Sequence, residues 1–421
     1  MTYTEAITYL YNSRPPFHQV GAAAYKPGLD NMLQLMAHLS TPHQLLRAIH
    51  VAGTNGKGST SHLIAAALQA AGLKVGLFTS PHLVSLTERI RINGQPIPEV
   101  NVAEFVKRNR NFLDDLQPSF FETMTALAFE YFAREKVDVA VIEVGLGGRL
   151  DSTNVLTPVL SVITNIGFDH TEFLGNTIAQ IAQEKAGIIK PHVPVVIGET
   201  HPETEQVFIE HARDNEAPIF FADQCEYLRR CRIRFAPACE LKGIYQEHNL
   251  QTAFVALRAL NINHQSSIIN HQSIANGFAH VCSLTGLRGR WETLALQPLV
   301  ICDTGHNSHG IRYVAQQLKE LTNPHKWIIF GMVNDKDTDQ VMKLLPHGNT
   351  YHYLFTTPNT QRARSAQQML TLWGKDGLAI ENPKEAVQYA IRQASPEDLI
   401  FIGGSNYLVG EVIKMNLFQK K

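Results

Sequence analysis

Residues 53 to 60 read Gly53-Thr54-Asn55-Gly56-Lys57-Gly58-Ser59-Thr60. Glycines let successive backbone N–H groups turn inward around an anion, Lys57 adds a full positive charge, and Ser59 and Thr60 carry hydroxyls. A nucleotide triphosphate is the ligand that this chemistry suits. The strict GxxxxGK[ST] string is absent, because position 51 is Val51 and Gly58 separates Lys57 from Ser59.

A bound triphosphate carries about four negative charges and calls for Mg²⁺, a cation that takes oxygen ligands and keeps several waters. Ser59 or Thr60, Ser80 and Glu143 have the right atoms. Each also has a plainer role open to it. Ser59 could cap a helix, Ser80 could shape the turn before Pro81, and Glu143 could pair with Arg149. A charge that ends an apolar run must be compensated somehow, which singles out Glu143. His170 is harder to place, since imidazole suits zinc, copper or iron better than Mg²⁺; by itself it reads as a base or a loop histidine. Asp303, in Asp303-Thr304-Gly305-His306-Asn307, is either a carboxylate brought to a nucleotide or the cap of the next helix. Lys185 reads by periodicity as an ordinary exposed helical lysine.

These groups need elements to hold them. Ala48–Ala52 is a short apolar strand, and Ser61–Leu68 has helical apolar spacing, so the glycine stretch joins a strand to a helix. Further strands are expected at Lys74–Thr79, Val137–Glu143 and Leu160–Ile166. The loop Gly145–Ser152 follows the second of these and Asp169-His170 follows the third. Polar groups thus recur just past strand ends, at Gly53, Ser80, Glu143 and His170, and ligands bind at that edge of open parallel sheets. Thr2 and Glu5 form a capping-box pattern, Leu29 to Leu39 carry a helical apolar face, and Asn93-Gly94 between alternating residues signals an edge hairpin. A helix is expected from about Thr123 to Glu135, and another opens at His248 and runs to about Leu260. Glycines and basic residues near Gly286–Trp291 mark a hinge. Beyond it Leu299–Asp303, Trp327–Gly331, Tyr351–Phe355 and Leu399–Gly404 are strands of a second α/β domain.

Composition narrows the class. With 421 residues, 37 Lys plus Arg and 38 Asp plus Glu, the chain has the size of two domains, and its near-zero charge gives no footprint for nucleic acid or an anionic membrane. No apolar run reaches the roughly 18 residues of a membrane span, and the first residues show no signal-peptide pattern, so a cytoplasmic protein is expected. Cys225, Cys231, Cys239, Cys282 and Cys302 form no CxxC pair, which fits a reducing compartment.

Taken together, GTNGKGS at Gly53, TSPHL at Thr79, FFE-x-MTALAF at Phe120, EVGLGGRLDSTN at Glu143, DH-x-x-FLG at Asp169, EKAGIIK at Glu184, GRWE at Gly289 and DTGHN at Asp303 resemble the folylpolyglutamate synthase and dihydrofolate synthase family of the Mur ligase superfamily. The motifs are collinear from about Lys26 to Asn307. The resemblance implies an α/β architecture in which a P-loop-type parallel-sheet ATPase and folate-binding domain (1–286) is followed by a linker (287–297) and a smaller Rossmann-like glutamate ligase domain (298–421). It implies transfer of the ATP γ-phosphate to a pteroate or folate carboxylate and attack by the L-glutamate amine on the acyl phosphate. It assigns Mg²⁺, as two ions, to Ser59, Ser80, Glu143 and His170, which overrules the low ranking of His170. Lys185 falls where the family has a lysine carbamylated by CO₂, and Lys57, Lys185 and His170 become the catalytic set. Asn249, Arg290 and Asp303 match nucleotide contacts, with His306 in the same motif, and Arg290 and the second domain are expected to close over ATP. Gly28, Leu29, Phe121, Thr123, Asp151 and Ser152 match the pterin and aminobenzoate pocket, where Phe121 suits stacking on a flat ring.

The expectation is a monomeric, bifunctional enzyme that makes dihydrofolate from dihydropteroate and L-glutamate and extends folate glutamate tails. The competing readings are an enzyme that only extends tails, another Mur-type ligase on a cell-wall precursor, and a nucleotide-dependent switch without ligase chemistry. Cell-wall ligases usually carry an additional N-terminal domain, whereas here the glycine loop begins about fifty residues in. A switch would not require Glu143, His170 and Asp303 together.

Overall fold

The computed structural model describes residues 1–15, 26, 28–226, 238–264, 269–334 and 338–418. Cys231, one of the five cysteines of the sequence, lies outside the described residues. The chain forms two compact units. One comprises Met1–His82, Leu86–Glu240 and Gln246–Leu287, and the other Leu83–Ser85, Leu241–Tyr245 and Arg288–Lys421.

The first unit is built on an eight-stranded sheet. Its strands are β1 (Ala48–Ala52), β2 (Val75–Phe78), β3 (Ile90–Ile92), β4 (Gln95–Pro96), β5 (Val139–Glu143), β6 (Leu160–Ile163), β7 (Val195–Ile197) and β8 (Ile219–Phe221), in the spatial order β4-β3-β2-β5-β1-β6-β7-β8. All pairings from β2 to β8 are parallel, and β1 lies between β5 and β6, with Ile49 opposite both Val141 and Leu160. The apolar runs read as buried strands are buried at every residue of β1, β2, β5 and β6, as a sheet covered on both faces requires. The expected Asn-Gly hairpin is present at the sheet edge; Asn93 and Gly94 both have positive φ, 47° and 76°.

The helix Lys57–Ala70 after the glycine loop is buried from Ser59 to Leu68. Its polar N-terminal turn and all-round small apolar body suit a helix enclosed on every side. The helix His271–Ala279 comes so close that a Cβ at Gly277 would lie 2.4 Å from the Ala67 Cα. Behind the other sheet face, Met32, Leu35, Met36, Phe105, Met124, Phe129 and Phe132 join one core cluster, drawn from the helices Asp30–His38, Glu99–Leu116 and Phe120–Arg134. The Thr2 capping box forms as expected, with Thr2 Oγ1 accepting from Glu5 N at 3.2 Å.

The second unit has a six-stranded sheet: β9 (Glu292–Leu296), β10 (Leu299–Asp303), β11 (Lys326–Phe330), β12 (Tyr351–Phe355), β13 (Leu378–Ala379) and β14 (Leu399–Gly403), ordered β13-β12-β11-β14-β10-β9. Two apolar clusters, one around Phe330 and Phe401 and the other around Ile400 and Ile402, are drawn from alternate residues of these strands. The expected linker 287–297 is corrected here. Residues 292–296 are β9, an antiparallel edge strand with Leu296 opposite Leu299 and Cys302 opposite Glu292, so the long C-terminal segment of the second unit begins at Arg288. An edge strand satisfies its backbone on one side only and keeps an alternating, half-exposed pattern, which here blurred into the glycine-rich turn before it. Among the described residues, no helix is long and apolar enough to cross a membrane.

Candidate functional site

Strands β2, β5, β1 and β6 are neighbours, and Glu143 ends β5 while the glycine loop, Ser80 and His170 lie in the segments that follow β1, β2 and β6. The glycine loop leaves β1 with Gly53 at φ 142° and Gly56 at φ 80°. A Cβ at Gly56 would lie 2.2 Å from Asn249 Oδ1, so both the backbone angle and the close approach require glycine there. The loop is strapped to the segment after β6. Asn165 O accepts from Thr54 N, Asn165 Oδ1 accepts from Asn55 N, and Thr164 Oγ1 donates to Asn55 O, at 2.9, 2.9 and 2.6 Å. Asn165 Nδ2 in turn donates to Glu199 Oε1 at 2.8 Å.

Two lysines meet at this loop. Lys57 Nζ donates to Gly53 O at 2.9 Å and Thr54 O at 3.1 Å, and Lys185 Nζ donates to the same Gly53 O at 2.9 Å. The expectation of an exposed Lys185 by periodicity is overturned, since the residue is 3% exposed. Burial first, and then the charge of Lys57, push its amine down to about 7, against a smaller opposing pull from Asp169 and Asp151. Burial thus disfavours the charged form of this lysine, which is not a fixed cation.

Glu143 ends β5, is 3% exposed, and accepts from the backbone N–H of Ser80 at 3.0 Å through Oε2. The two sequence-distant candidates are thereby brought together. Arg149 forms its ion pair with Glu184, at 2.8 Å. Ser59 Oγ accepts from Gln246 Nε2 at 3.2 Å, and Gln246 Oε1 accepts from Asn249 Nδ2 at 2.8 Å. Asn249 Oδ1 also accepts from Thr60 Oγ1 at 3.4 Å. His170 is half-buried in a left-handed conformation, φ 49°, with its Nε2 3.7 Å from Asp169 Oδ1. Non-glycine residues rarely adopt that conformation, and such strain gathers at functional positions.

Glu143, Ser80 and Ser59 are a hard-oxygen set that fits Mg²⁺, with His170 the one nitrogen. Among the described residues no group of three His, Cys, Asp or Glu could hold a metal ion, so a cation here would draw on hydroxyls, water and phosphate.

The elements expected to line the acceptor pocket pack on one core cluster: the helices Asp30–His38 and Phe120–Arg134 and the turn Ser152–Val155. Gly28 (φ 112°) and Leu29 precede the first of these helices, and both are half-buried. Phe121 is half-buried, stacks on Phe78 at 5.7 Å, and lies where a Cβ on Gly145 would strike it at 2.5 Å. Thr123 turns its hydroxyl to Ser119 O of its own helix at 2.9 Å. Asp151 also points inward; Oδ2 accepts from Leu146 N at 2.8 Å and Oδ1 from Thr153 N at 3.0 Å, while burial raises its carboxyl above the usual range. Ser152, next to it, is half-buried.

In the second unit Asp303 ends β10 and is enclosed. It accepts from Tyr245 Oη at 2.6 Å, Trp291 N at 2.8 Å and Gly305 N at 2.7 Å, and burial raises its carboxyl. Arg290 bonds Thr304 Oγ1, and His306 Nδ1 lies 3.0 Å from Thr304 O. Asn307 caps the helix Ser308–Glu320, so the capping role weighed for Asp303 belongs to Asn307. Sequence reasoning missed Thr164, Asn165, Gln246 and Tyr245. Thr164 and Asn165 had a usable signal, polar residues at the end of a buried apolar run; Gln246 and Tyr245 act across 187 and 58 residues of chain.

Two family models match the chain, the Mur ligase middle domain over residues 51–282 and the Mur ligase glutamate ligase domain over residues 289–406. The dihydrofolate synthase/folylpolyglutamate synthase of Bacillus subtilis (strain 168) is 35% identical over 414 residues, covering 92% of this chain and 95% of that protein. The structure of Escherichia coli FolC in complex with DHPP and ADP superposes with a TM-score of 0.83 at 28% identity, covering 99% of this chain and 97% of that one. A bifunctional folylpolyglutamate synthase/dihydrofolate synthase with Mn, AMPPNP and L-glutamate bound gives 0.85 at 28% identity, covering 99% and 98%.

Proposed function

Because this chain belongs to the folylpolyglutamate synthase/dihydrofolate synthase family of Mur ligases, we propose that it joins L-glutamate to pteroate and folate carboxylates at the expense of ATP, making both dihydrofolate and folate polyglutamates. It is an ATP-dependent, amide-forming ligase. The observation that carries the site assignment is the convergence of Lys57 and Lys185 on the Gly53 carbonyl, at the mouth of a glycine loop that opens a helix.

Phosphoryl transfer leaves the protein little covalent work, so positioning and charge neutralisation decide the rate. The Gly53–Thr60 amides and Lys57 hold the β- and γ-phosphates. The acceptor carboxylate attacks the γ-phosphorus and ADP leaves; the glutamate amine then attacks the acyl carbon, and phosphate leaves as the amide forms. Two divalent cations, when bound, neutralise the transferring phosphoryl group, and Ser59, Ser80, Glu143 and His170 are the residues to hold them. The neutral Lys185 amine adds to CO₂ with loss of one proton to solvent, and the resulting carbamate turns a would-be cation into an anionic oxygen donor. Asn249, Arg290, Asp303 and His306 are assigned to the nucleotide, Asp303 by holding the backbone at Trp291 and Gly305 beside Arg290. Gly28, Leu29, Phe121, Thr123, Asp151 and Ser152 shape the acceptor pocket, with Thr123 and Asp151 acting through the backbone they hold. The same reading makes the protein a cytoplasmic monomer acting on small molecules, which light scattering and cell fractionation check.

The decisive assay is phosphate release with ATP, Mg²⁺ and L-glutamate in three arms: dihydropteroate, a tetrahydrofolate monoglutamate, and no acceptor. Turnover with both pteridines is expected. No acceptor-dependent turnover sinks the proposal, and turnover with the folate alone removes the dihydrofolate synthase half.

A further inference from the structure

His50 occupies the middle of β1, three residues before the glycine loop, and is 0% exposed. A leucine would suit that sheet interior better, for burial holds the imidazole neutral and one ring nitrogen, Nδ1, has no hydrogen-bond partner among the described residues. The other nitrogen, Nε2, lies 2.7 Å from Thr153 Oγ1. That hydroxyl is 2.5 Å from Asp151 Oδ1, which also accepts from Thr153 N. Its proton goes to the carboxylate, so its oxygen accepts from His50, which must carry its hydrogen on Nε2. The bare Nδ1 is then the orphan, a smaller cost than an orphaned N–H.

The chain of bonds ends on the loop. Asp151 Oδ2 accepts from Leu146 N at 2.8 Å. Just before Leu146, Gly145 abuts the Phe121 ring, and between Leu146 and Asp151 a Cβ on Gly148 would lie 2.8 Å from Glu184 O and 3.0 Å from the Lys185 Cα. Loop 145–151 is thus wedged between the proposed acceptor wall and the proposed carbamate lysine. The glycine loop has straps of its own to Thr164 and Asn165, besides the Lys185 bond to Gly53 O.

We propose that His50 is a positioning residue which, through Thr153 and Asp151, sets the loop 145–151 against Phe121 and Lys185 and so governs binding of the pteridine acceptor without governing binding of ATP. It rests on the acceptor-pocket reading above, and two readouts separate the failures. The variants are His50→Leu and Thr153→Val, which break the chain, with His50→Gln and Thr153→Ser, which keep a donor and a hydroxyl near the same points. Without any substrate, amide exchange at Leu146 and Thr153 should quicken about tenfold in the breaking variants and return toward wild type in the conservative ones. In turnover, the acceptor KM should rise about tenfold with the ATP KM within about twofold, again recovered by Gln and Ser.

Equal exchange in all four variants overturns the proposal, as does a parallel rise of both KM values. Altered exchange in an enzyme whose wild type turns over neither pteridine would leave the loop support standing and remove the acceptor reading. If His50→Leu fails to fold, the Thr153→Val and Thr153→Ser pair decides by the same readouts.

Discussion

Replacing Lys185 by methionine should stabilise the protein while destroying its activity. In apo protein, free of metal and CO₂, the Lys185 amine lies near 7 against an ordinary value of 10.5, so the folded state binds fewer protons than the unfolded one between those pH values. Stability therefore rises with pH across that window, and the cost of the buried amine is greatest at and below pH 7. At pH 7.5 three pH units separate the medium from the unfolded value, a cost of about 4 kcal/mol at about 1.4 kcal/mol per unit. Lys185→Met would remove that cost and lose the hydrogen bond to Gly53 O, worth about 1 kcal/mol, while Lys57 still serves that carbonyl. The variant should be more stable by about 3 kcal/mol at pH 7.5, and its advantage should vanish by about pH 10. Urea unfolding of both proteins in parallel at several pH values measures the difference, in which groups common to both cancel. A variant less stable than wild type at pH 7.5, or a difference that does not change with pH, would refute the reasoning.

Gly56→Ala should raise the ATP KM at least about tenfold, because the backbone is at φ 80° and the new methyl displaces Asn249. Gly72→Ala, also at positive φ but in open space, is the control: it should cost about 1 kcal/mol of stability and leave the ATP KM alone. Lys57→Ala should reduce kcat by at least about a hundredfold in the phosphate-release assay through loss of the phosphate counter-charge, and near-normal turnover would remove that role. Tyr245→Phe deletes one of the donors to buried Asp303, and the melting of the second unit should drop by an amount equivalent to about 1–3 kcal/mol. An unchanged melt would show that the bond contributes nothing.

Much of the site's address was legible in the chain. Apolar runs ending in Gly53, Ser80 and Glu143 became neighbouring parallel strands, because continuous apolar runs are stable only inside a doubly covered sheet, and such a sheet gathers its loops at one edge. Motif order carried the family and, with it, Lys185 and His170, which local chemistry had ranked low. Side-chain roles were less legible. Asp151 and Thr123 have residue types that suit a ligand, yet both spend their polar atoms on their own backbone. The edge strand β9 hid in what read as a linker, since its pairing with β10 depends on a partner and its own pattern is weak.

The sequence by itself determined the strand–loop–helix form of the glycine stretch, the succession of two α/β units and the residue types at the sheet edge, all written in local spacing and composition. Only the tertiary structure decided that Lys185 is buried beside Lys57, that Glu143 meets the Ser80 backbone, and that His50 reaches Asp151 through Thr153. Those contacts join residues between 63 and 132 positions apart on separate elements, apart from the two-residue step from Thr153 to Asp151. Desolvation and hydrogen-bond geometry, which set a lysine near neutrality or orphan an imidazole nitrogen, exist only once the sheet has brought those elements together.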